Sequence, residues 1–358
     1  MAHRVTLIPG DGIGPEVCTA AQQVVGAAGV EVEWDVQPAG AAVMEREGTP
    51  LPDRVLRSIE ANRTALKGPI TTPVGTGFRS VNVALRQELD LFAAVRPSAG
   101  LPGVPTRHPR VDLVVIRENT EDLYAGIEFE RGSASLERLR AELRRLAGFE
   151  VKPDAGVTVK PISISGTRRI VRFALDFARR NQRRTVTVGH KANIMRFSDG
   201  VFLFTAGAEA QFHEDIWFQE MQVDELALRL ATEPEGLDLL LLPNLYWDIV
   251  SDLCAGLVGG LGLAPGANLG WEYAVFEPVH GSAPDIAGKG LANPVAIILS
   301  AAMMLAHLGE TDAAAAVRTG VRAVLSKGRV RTRDLGGSAT TEELAAAIAE
   351  ATREALGR

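Results

Sequence analysis

Residues 66–97 read LKGPITTPVGTGFRSVNVALRQELDLFAAVRP. The segment opens with a short apolar stretch and a Lys-Gly-Pro turn, followed by Thr-Thr-Pro and two glycines, Gly75 and Gly77. A loop of this kind is exposed and lets its backbone come close to a ligand. From Asn82 to Leu89 the apolar spacing predicts a helix. Arg86 lies four residues beyond Asn82, so both project from one side of the helix start. The strand-like LFAAV follows and is expected to end with Arg96, at a proline. Ser80, Asn82, Arg86 and Arg96 therefore gather around one loop. Two arginines with a hydroxyl and an amide suit a small polyanion such as a di- or tricarboxylate. Either arginine taken alone reads as a solvated surface group, so the rest of the chain has to decide.

At 358 residues the chain exceeds the size at which a single core stops growing, and two domains are expected. Hydrophobic content of 46% and charged content of 23% are those of an ordinary globular protein. A net charge of −6 provides no basic footprint for nucleic acid. It does not argue against an anionic substrate, because local arginines outweigh the sum. Cys18 and Cys254 are the only cysteines, without CxxC spacing, which disfavours a disulfide scaffold or a thiolate metal site. MAHRVTLIPGDG turns after one short apolar strand, so no signal peptide is expected. The longest apolar stretch, Ala296 to Leu305, is too short to span a bilayer and reads as a core helix. No membrane association is expected, and the expected location is the cytoplasm.

Strands are predicted at Val5–Ile8, Val32–Val36, Arg63–Lys67, Val111–Ile116, Gly156–Ile162, Thr185–Val188 and Leu237–Leu242. Helices are predicted from Pro15 to about Ala28, at Asp53–Glu60, Ser135–Leu146 and Gly166–Arg180, over NLYWDIVSDL, and three times at the C-terminus. Thr340 and Glu343 form a capping box for the last of these. The alternation argues for an α/β protein. GDGIGPE at Gly10–Glu16 approaches a dinucleotide fingerprint but lacks its full spacing. Pro- and Gly-rich Ser98–Pro109 marks a domain crossing, and the chain re-enters the first domain after GGLGLAPGANLG.

Asp248 and Asp252 lie four apart on a predicted helix and share one face. With a third carboxylate they suit Mg²⁺ or Mn²⁺; by themselves they read as a solvated acidic face. Lys191 follows an apolar strand, where burial beside a metal would let it act as a base. Asp224, in MQVDELALRL, and Tyr124, in RENTEDLYAG, carry no signal alone.

These stretches together resemble the β-decarboxylating dehydrogenases: the isocitrate, isopropylmalate and homoisocitrate enzymes. The likeness rests on residues 66–97, RENTEDLYAGIEF, GHKANIMRFSDGVF, NLYWDIVSDLCAGLVGGLGLAPGANLG and FEPVHGSAPDIAGKGLANP. It spans nearly the whole chain. One departure is Trp247, where the family usually has glycine. The resemblance implies an α/β fold with a large mixed sheet, not a Rossmann fold. It implies a large domain from residues 1–98 and 258–358, and a small one from 99–257 with a dimerisation arm.

In that family Arg86, Arg96 and Arg117 would hold substrate carboxylates, and Ser80 and Asn82 would contact the third carboxylate of isocitrate. Asp248 and Asp252, with Asp224 of a neighbouring copy, would bind Mg²⁺ or Mn²⁺. Lys191, also from the neighbour, would take the hydroxyl proton, and Tyr124 would protonate the enolate after CO₂ leaves. Thr72, His280, Gly281, Ser282, Ala283, Asp285, Ile286 and Asn293 would bind NAD. NADP members tend to carry lysine and tyrosine where Asp285 and Ile286 stand. The resemblance thus implies an NAD-dependent isocitrate dehydrogenase acting as a homodimer with shared sites. Homoisocitrate or 3-isopropylmalate dehydrogenase is the alternative activity, because VHGSAPDIAGKGLANP looks more like that group. A non-catalytic regulatory subunit is the alternative of another class. Ser80 is also a candidate phosphorylation site, as in some bacterial isocitrate enzymes.

Overall fold

A computed structural model describes residues 2–71 and 80–357. Thr72, Gly75 and Gly77 lie outside the described residues. The first part of the chain runs β1 (His3–Ile8), α1 (Gly14–Ala27), β2 (Val32–Val36), α2 (Ala41–Glu47), α3 (Asp53–Asn62), β3 (Thr64–Lys67), α4 (Val81–Glu88) and β4 (Ala93–Ala99). The middle holds β5 (Asp112–Glu118), β6 (Glu128–Phe129), α5 (Ala134–Ala147), β7 (Val157–Thr158), α6 (Ile164–Arg180), β8 (Thr185–His190), α7 (Asp199–Ala210), β9 (Trp217–Gln222), α8 (Val223–Thr232), β10 (Leu239–Leu242) and α9 (Asn244–Leu257). The chain ends with β11 (Pro265–Leu269), β12 (Ala274–Pro278), α10 (Val295–His307), α11 (Thr311–Lys327) and α12 (Thr341–Ala355).

Ten strands form one sheet in the order β2-β1-β3-β12-β11-β4-β5-β10-β8-β9. Both ends of the sheet pair in parallel, while β12-β11, β11-β4 and β4-β5 at its centre pair antiparallel. This is the mixed α/β sheet expected, and its antiparallel centre sets it apart from a Rossmann fold. Strands such as β10, LLLL, are buried along their whole length, as a sheet covered on both faces requires.

Four apolar clusters fill the two sides of the sheet. One packs α1, α10, α11 and α12 together through residues such as Val24, Ile298, Val321 and Ile348, and another packs α3 and α4 around Ile59 and Leu85. The other two draw on residues 92–258, with Ile170 and Val171 of α6 in one and Trp247 and Val250 of α9 in the other.

The structure corrects two sequence expectations. β4 does not stop at Arg96 but continues through Pro97 to Ala99, pairing Pro97 with Val114. On its other side β11 reaches only Val95, so the missing Pro97 N–H faces no strand partner. The strand expected over Gly156–Ile162 shrinks to Val157–Thr158, paired only with β6. Its alternating pattern has no further strand to pair with in that two-stranded ribbon.

Candidate active site

The centre of the sheet carries the arginines. In the β4-β5 register Arg96 lies opposite Val115 and Arg117 opposite Ala94, so both side chains rise diagonally from one face. Arg86 comes from the second turn of α4, and its Nε donates to Asn268 Oδ1 of β11 at 3.1 Å. Ser80 is the N-cap of that helix and Asn82 lies in its first turn. The buried Asn82 Oδ1 has no hydrogen-bond partner among the described residues.

Helix α9 closes over the same face. Arg96 Nη1 donates to Ser251 Oγ at 2.7 Å and to Asp252 Oδ1 at 2.8 Å. Arg117 Nε donates to Asn244 Oδ1 at 2.9 Å, and its Nη1 to Asp248 Oδ1 at 3.3 Å. The Tyr124 hydroxyl donates to Asp248 Oδ2 at 2.8 Å. Tyr124 sits in the short helical turn Asp122–Ala125, which is pinned to α9 by Leu245 N donating to Asp122 Oδ2 at 2.8 Å.

Burial drives the electrostatics here. Desolvation first, then repulsion by Arg86, pulls the Arg117 guanidinium down to about 9 despite the attraction of Asp248. Burial likewise lowers Arg96, against the pull of Asp252 and Glu277. The Tyr124 phenol is pushed up by burial, then by its hydrogen bond to Asp248 and that carboxylate's charge. It therefore keeps its proton at neutral pH.

Sequence reasoning missed a second layer. Lys67, at the end of β3, puts Nζ 2.5 Å from Glu277 Oε2, and Asn268 Nδ2 donates to Glu277 Oε1 at 2.6 Å. Arg86 Nη2 stands 3.6 Å from the same carboxylate. Burial would push Glu277 up, but Lys67 and Arg86 overcome it and bring it to about 2. The one available signal was a lone charge inside each of two apolar strands, TALK and AVFEP.

Lys191 and Asp224 form a separate cluster. Lys191 follows β8, and its Nζ lies 2.5 Å from Asp224 Oδ1 in the first turn of α8 and donates to Gln222 Oε1 at 3.2 Å. Among the described residues no hydrogen bond or ion pair joins either of them to Asp248 or Asp252. Among the described residues no group of three acidic, histidine or cysteine side chains converges tightly enough to hold a metal. Asp248 and Asp252 nonetheless fit one, because their side chains are 45% and 56% exposed and keep hard oxygen lone pairs open.

A cavity of about 440 Å³ is lined by Ile13, His280, Ile286, Leu291, Asn293 and Asp334. Asn293 Nδ2 donates to Asp334 Oδ2 at 2.9 Å. Burial holds the His280 imidazole below its ordinary range, and its buried Nε2 has no partner among the described residues. An apolar wall with an orphaned ring nitrogen fits a nucleotide base. Ser282 is buried and ties this loop to the chain start, with Ile13 N donating to its carbonyl at 2.9 Å. Gly12, at φ +59°, admits that carbonyl, which a Cβ would meet at 1.9 Å. Gly281 and Asp285 are exposed, and Ala283 takes a left-handed φ of 38°.

The sequence profile described as isocitrate/isopropylmalate dehydrogenase matches residues 4–348. The chain is 44% identical over 350 residues to a Caenorhabditis elegans protein named as the probable alpha subunit of mitochondrial NAD isocitrate dehydrogenase, covering 97% of this chain and 91% of that one. It is 41% identical to a Dictyostelium discoideum protein named as a regulatory subunit of the mitochondrial NAD enzyme, covering 99% and 94%. Among solved structures it superposes on the isocitrate dehydrogenase of Methylococcus capsulatus with a TM-score of 0.90 and 48% identity, covering 98% of this chain and 99% of that one.

Proposed function

From a chain that belongs to the isocitrate/isopropylmalate dehydrogenase family, we propose an enzyme that oxidises and decarboxylates isocitrate with NAD and a divalent cation. The observation that carries this reading is the charge of the cluster around the arginines. Arg86, Arg96, Arg117 and Lys67 supply four positive charges against three from Asp248, Asp252 and Glu277, an excess of one. A divalent cation adds two, and the total of three matches a tricarboxylate. Ser80 and Asn82, polar residues at the start of α4, also favour a polar substrate group over an isopropyl group.

In this reading Arg86, Arg96 and Arg117 hold the substrate carboxylates. Asp248 and Asp252 hold Mg²⁺ or Mn²⁺, and a second copy contributes Asp224. A cation held by these carboxylates would supply Lewis-acid polarisation of the substrate, and bound NAD would supply the hydride acceptor. Lys191 of the second copy takes the hydroxyl proton. The resulting β-keto acid loses its β-carboxylate as CO₂. Tyr124, kept protonated by its surroundings, delivers a proton to the enolate carbon. His280, Ser282, Ile286 and Asn293 line the NAD site, with Asp285 beside the ribose hydroxyls. We assign residues 1–98 with 258–358 to one domain and 99–257 to the other; two core clusters draw on the first part, while the other two draw mainly on the second and include residues 92–95.

The test is a panel of isocitrate, homoisocitrate and 3-isopropylmalate, each with NAD and with NADP, before and after chelation of the cation. Isocitrate with NAD is expected to have the highest kcat/KM, and chelation to abolish turnover. A preference for 3-isopropylmalate would overturn the substrate assignment. No turnover of any of the three would favour a regulatory subunit.

A further inference from the structure

We propose that Trp247 is a positioning residue for substrate binding, a single aromatic platform that holds Arg96 and Arg117 ready for carboxylates. The proposal rests on the reading above that these two arginines bind the substrate. Arg96 Cζ lies 4.0 Å from the centroid of the Trp247 ring, and Arg117 Cζ 4.6 Å from it. The indole is 1% exposed, and its Nε1 donates to Val115 O at 3.1 Å. Val115 is the residue directly opposite Arg96 and two before Arg117 on the same face. The ring is thus fixed to the strand from which both guanidiniums rise.

The physical need for such a platform follows from the arginines themselves. Arg96 and Arg117 share one ring, and Arg117 is repelled in its desolvated site by Arg86 and, less strongly, by Arg96. A guanidinium stacked on a ring loses only its face, while its in-plane N–H donors stay free to form bidentate bonds with a carboxylate. Asn244, Asp248, Ser251 and Asp252 fix part of each guanidinium edge from the same helix that carries Trp247. Ring and edge contacts together restrict each guanidinium to one orientation before substrate arrives. A tryptophan serving only as core filler would affect stability without any selective effect on substrate.

The experiment compares wild type with Trp247→Phe, which keeps a π face, and Trp247→Leu, which fills space without one. For each, calorimetry gives Kd for isocitrate with Mg²⁺ present. Kinetics give kcat and the KM for isocitrate and for NAD, and thermal unfolding gives the midpoint. Trp247→Leu is expected to raise Kd and KM for isocitrate on the order of tenfold, and Trp247→Phe by no more than about threefold. The KM for NAD is expected to stay unchanged in both. If Trp247→Leu does not fold, Trp247→Met takes its place as a flexible gap-filler. Equal effects of Phe and Leu, or isocitrate and NAD KM rising together in step with lost thermal stability, would overturn the platform. Wild type that binds isocitrate without oxidising it would overturn the enzyme reading and leave the Kd comparison to judge the platform. Wild type that does not bind it would overturn both.

Discussion

Glu277 shows how a buried charge becomes a stability term. Lys67 is 2% exposed and the Glu277 side chain 12%, so each is the other's condition for being charged there. A carboxyl that falls from 4.5 to about 2 on folding stabilises the native state fully above its ordinary value. That stabilisation, about 3 kcal/mol from the size of the shift, is lost as pH falls from 4.5 towards 2. Glu277→Gln is therefore expected to be less stable than wild type at pH 7, with the gap closing below pH 4.5. Urea unfolding at pH 7, 5 and 3.5 checks this, and a gap independent of pH would contradict it. At this scale Arg86 and Arg96 were visible in the sequence because they gather with Ser80 and Asn82 around one loop, Asp248 because it stands four before Asp252 on a helix, and Arg117 through the family resemblance. Glu277 and Lys67 were not visible, because a lone charge ending an apolar strand looks the same whether it meets solvent or a partner 210 residues away.

Helices with strong 3.6-residue periodicity, such as α6, were legible, as was the capping box at Thr340 and Glu343 that starts α12. Strands β9, WFQEMQ, and β11, PGANL, were not, because one is a polar edge strand and the other opens with proline and glycine. In the loop after β12, Pro284–Ile286 forms a single helical turn. That turn places Ile286 on the wall of the cavity and leaves Asp285 exposed at its rim, with Lys289 Nζ donating to the Asp285 carbonyl at 2.7 Å. The Asp285 carboxylate can accept bonds from ribose hydroxyls and would repel a 2′-phosphate. At about 4 Å in water-like surroundings one such pair costs roughly 1 kcal/mol, or about fivefold in affinity. Wild type is expected to prefer NAD by at least this factor in kcat/KM, and Asp285→Lys with Ile286→Tyr to shift preference towards NADP. Equal use of both cofactors by wild type would show that this turn does not read the ribose.

Within one chain the base and the acid of the proposed reaction stand in different clusters. Tyr124 contacts Asp248, while Lys191 contacts Asp224, and no contact joins the pairs. The family resemblance implied that Lys191 and Asp224 act from a neighbouring copy, whereas neither residue carries a signal of this in its own stretch of sequence. In the proposed reading a second copy supplies the other half of the site. Phe204 on α7 is 75% exposed and Ile249 on α9 63%, apolar side chains that such a copy would cover. Ile249 directly follows Asp248, so a copy docked on that face would bring its own residues close to the carboxylate. Two-fold pairing would then make two equivalent sites, each with Tyr124 from one copy and Lys191 from the other. Lys191→Ala and Tyr124→Phe are each expected to be inactive alone. Mixed and allowed to exchange, half of the dimers become hybrids, and each hybrid has one intact and one doubly defective site. Recovered activity is therefore expected at about one quarter of wild type. Size-exclusion chromatography with differently tagged protomers verifies that exchange took place. Verified hybrids without recovered turnover would show that each copy carries its base and its acid in its own cleft, and that the distance between Lys191 and Tyr124 must instead be closed by movement within the chain.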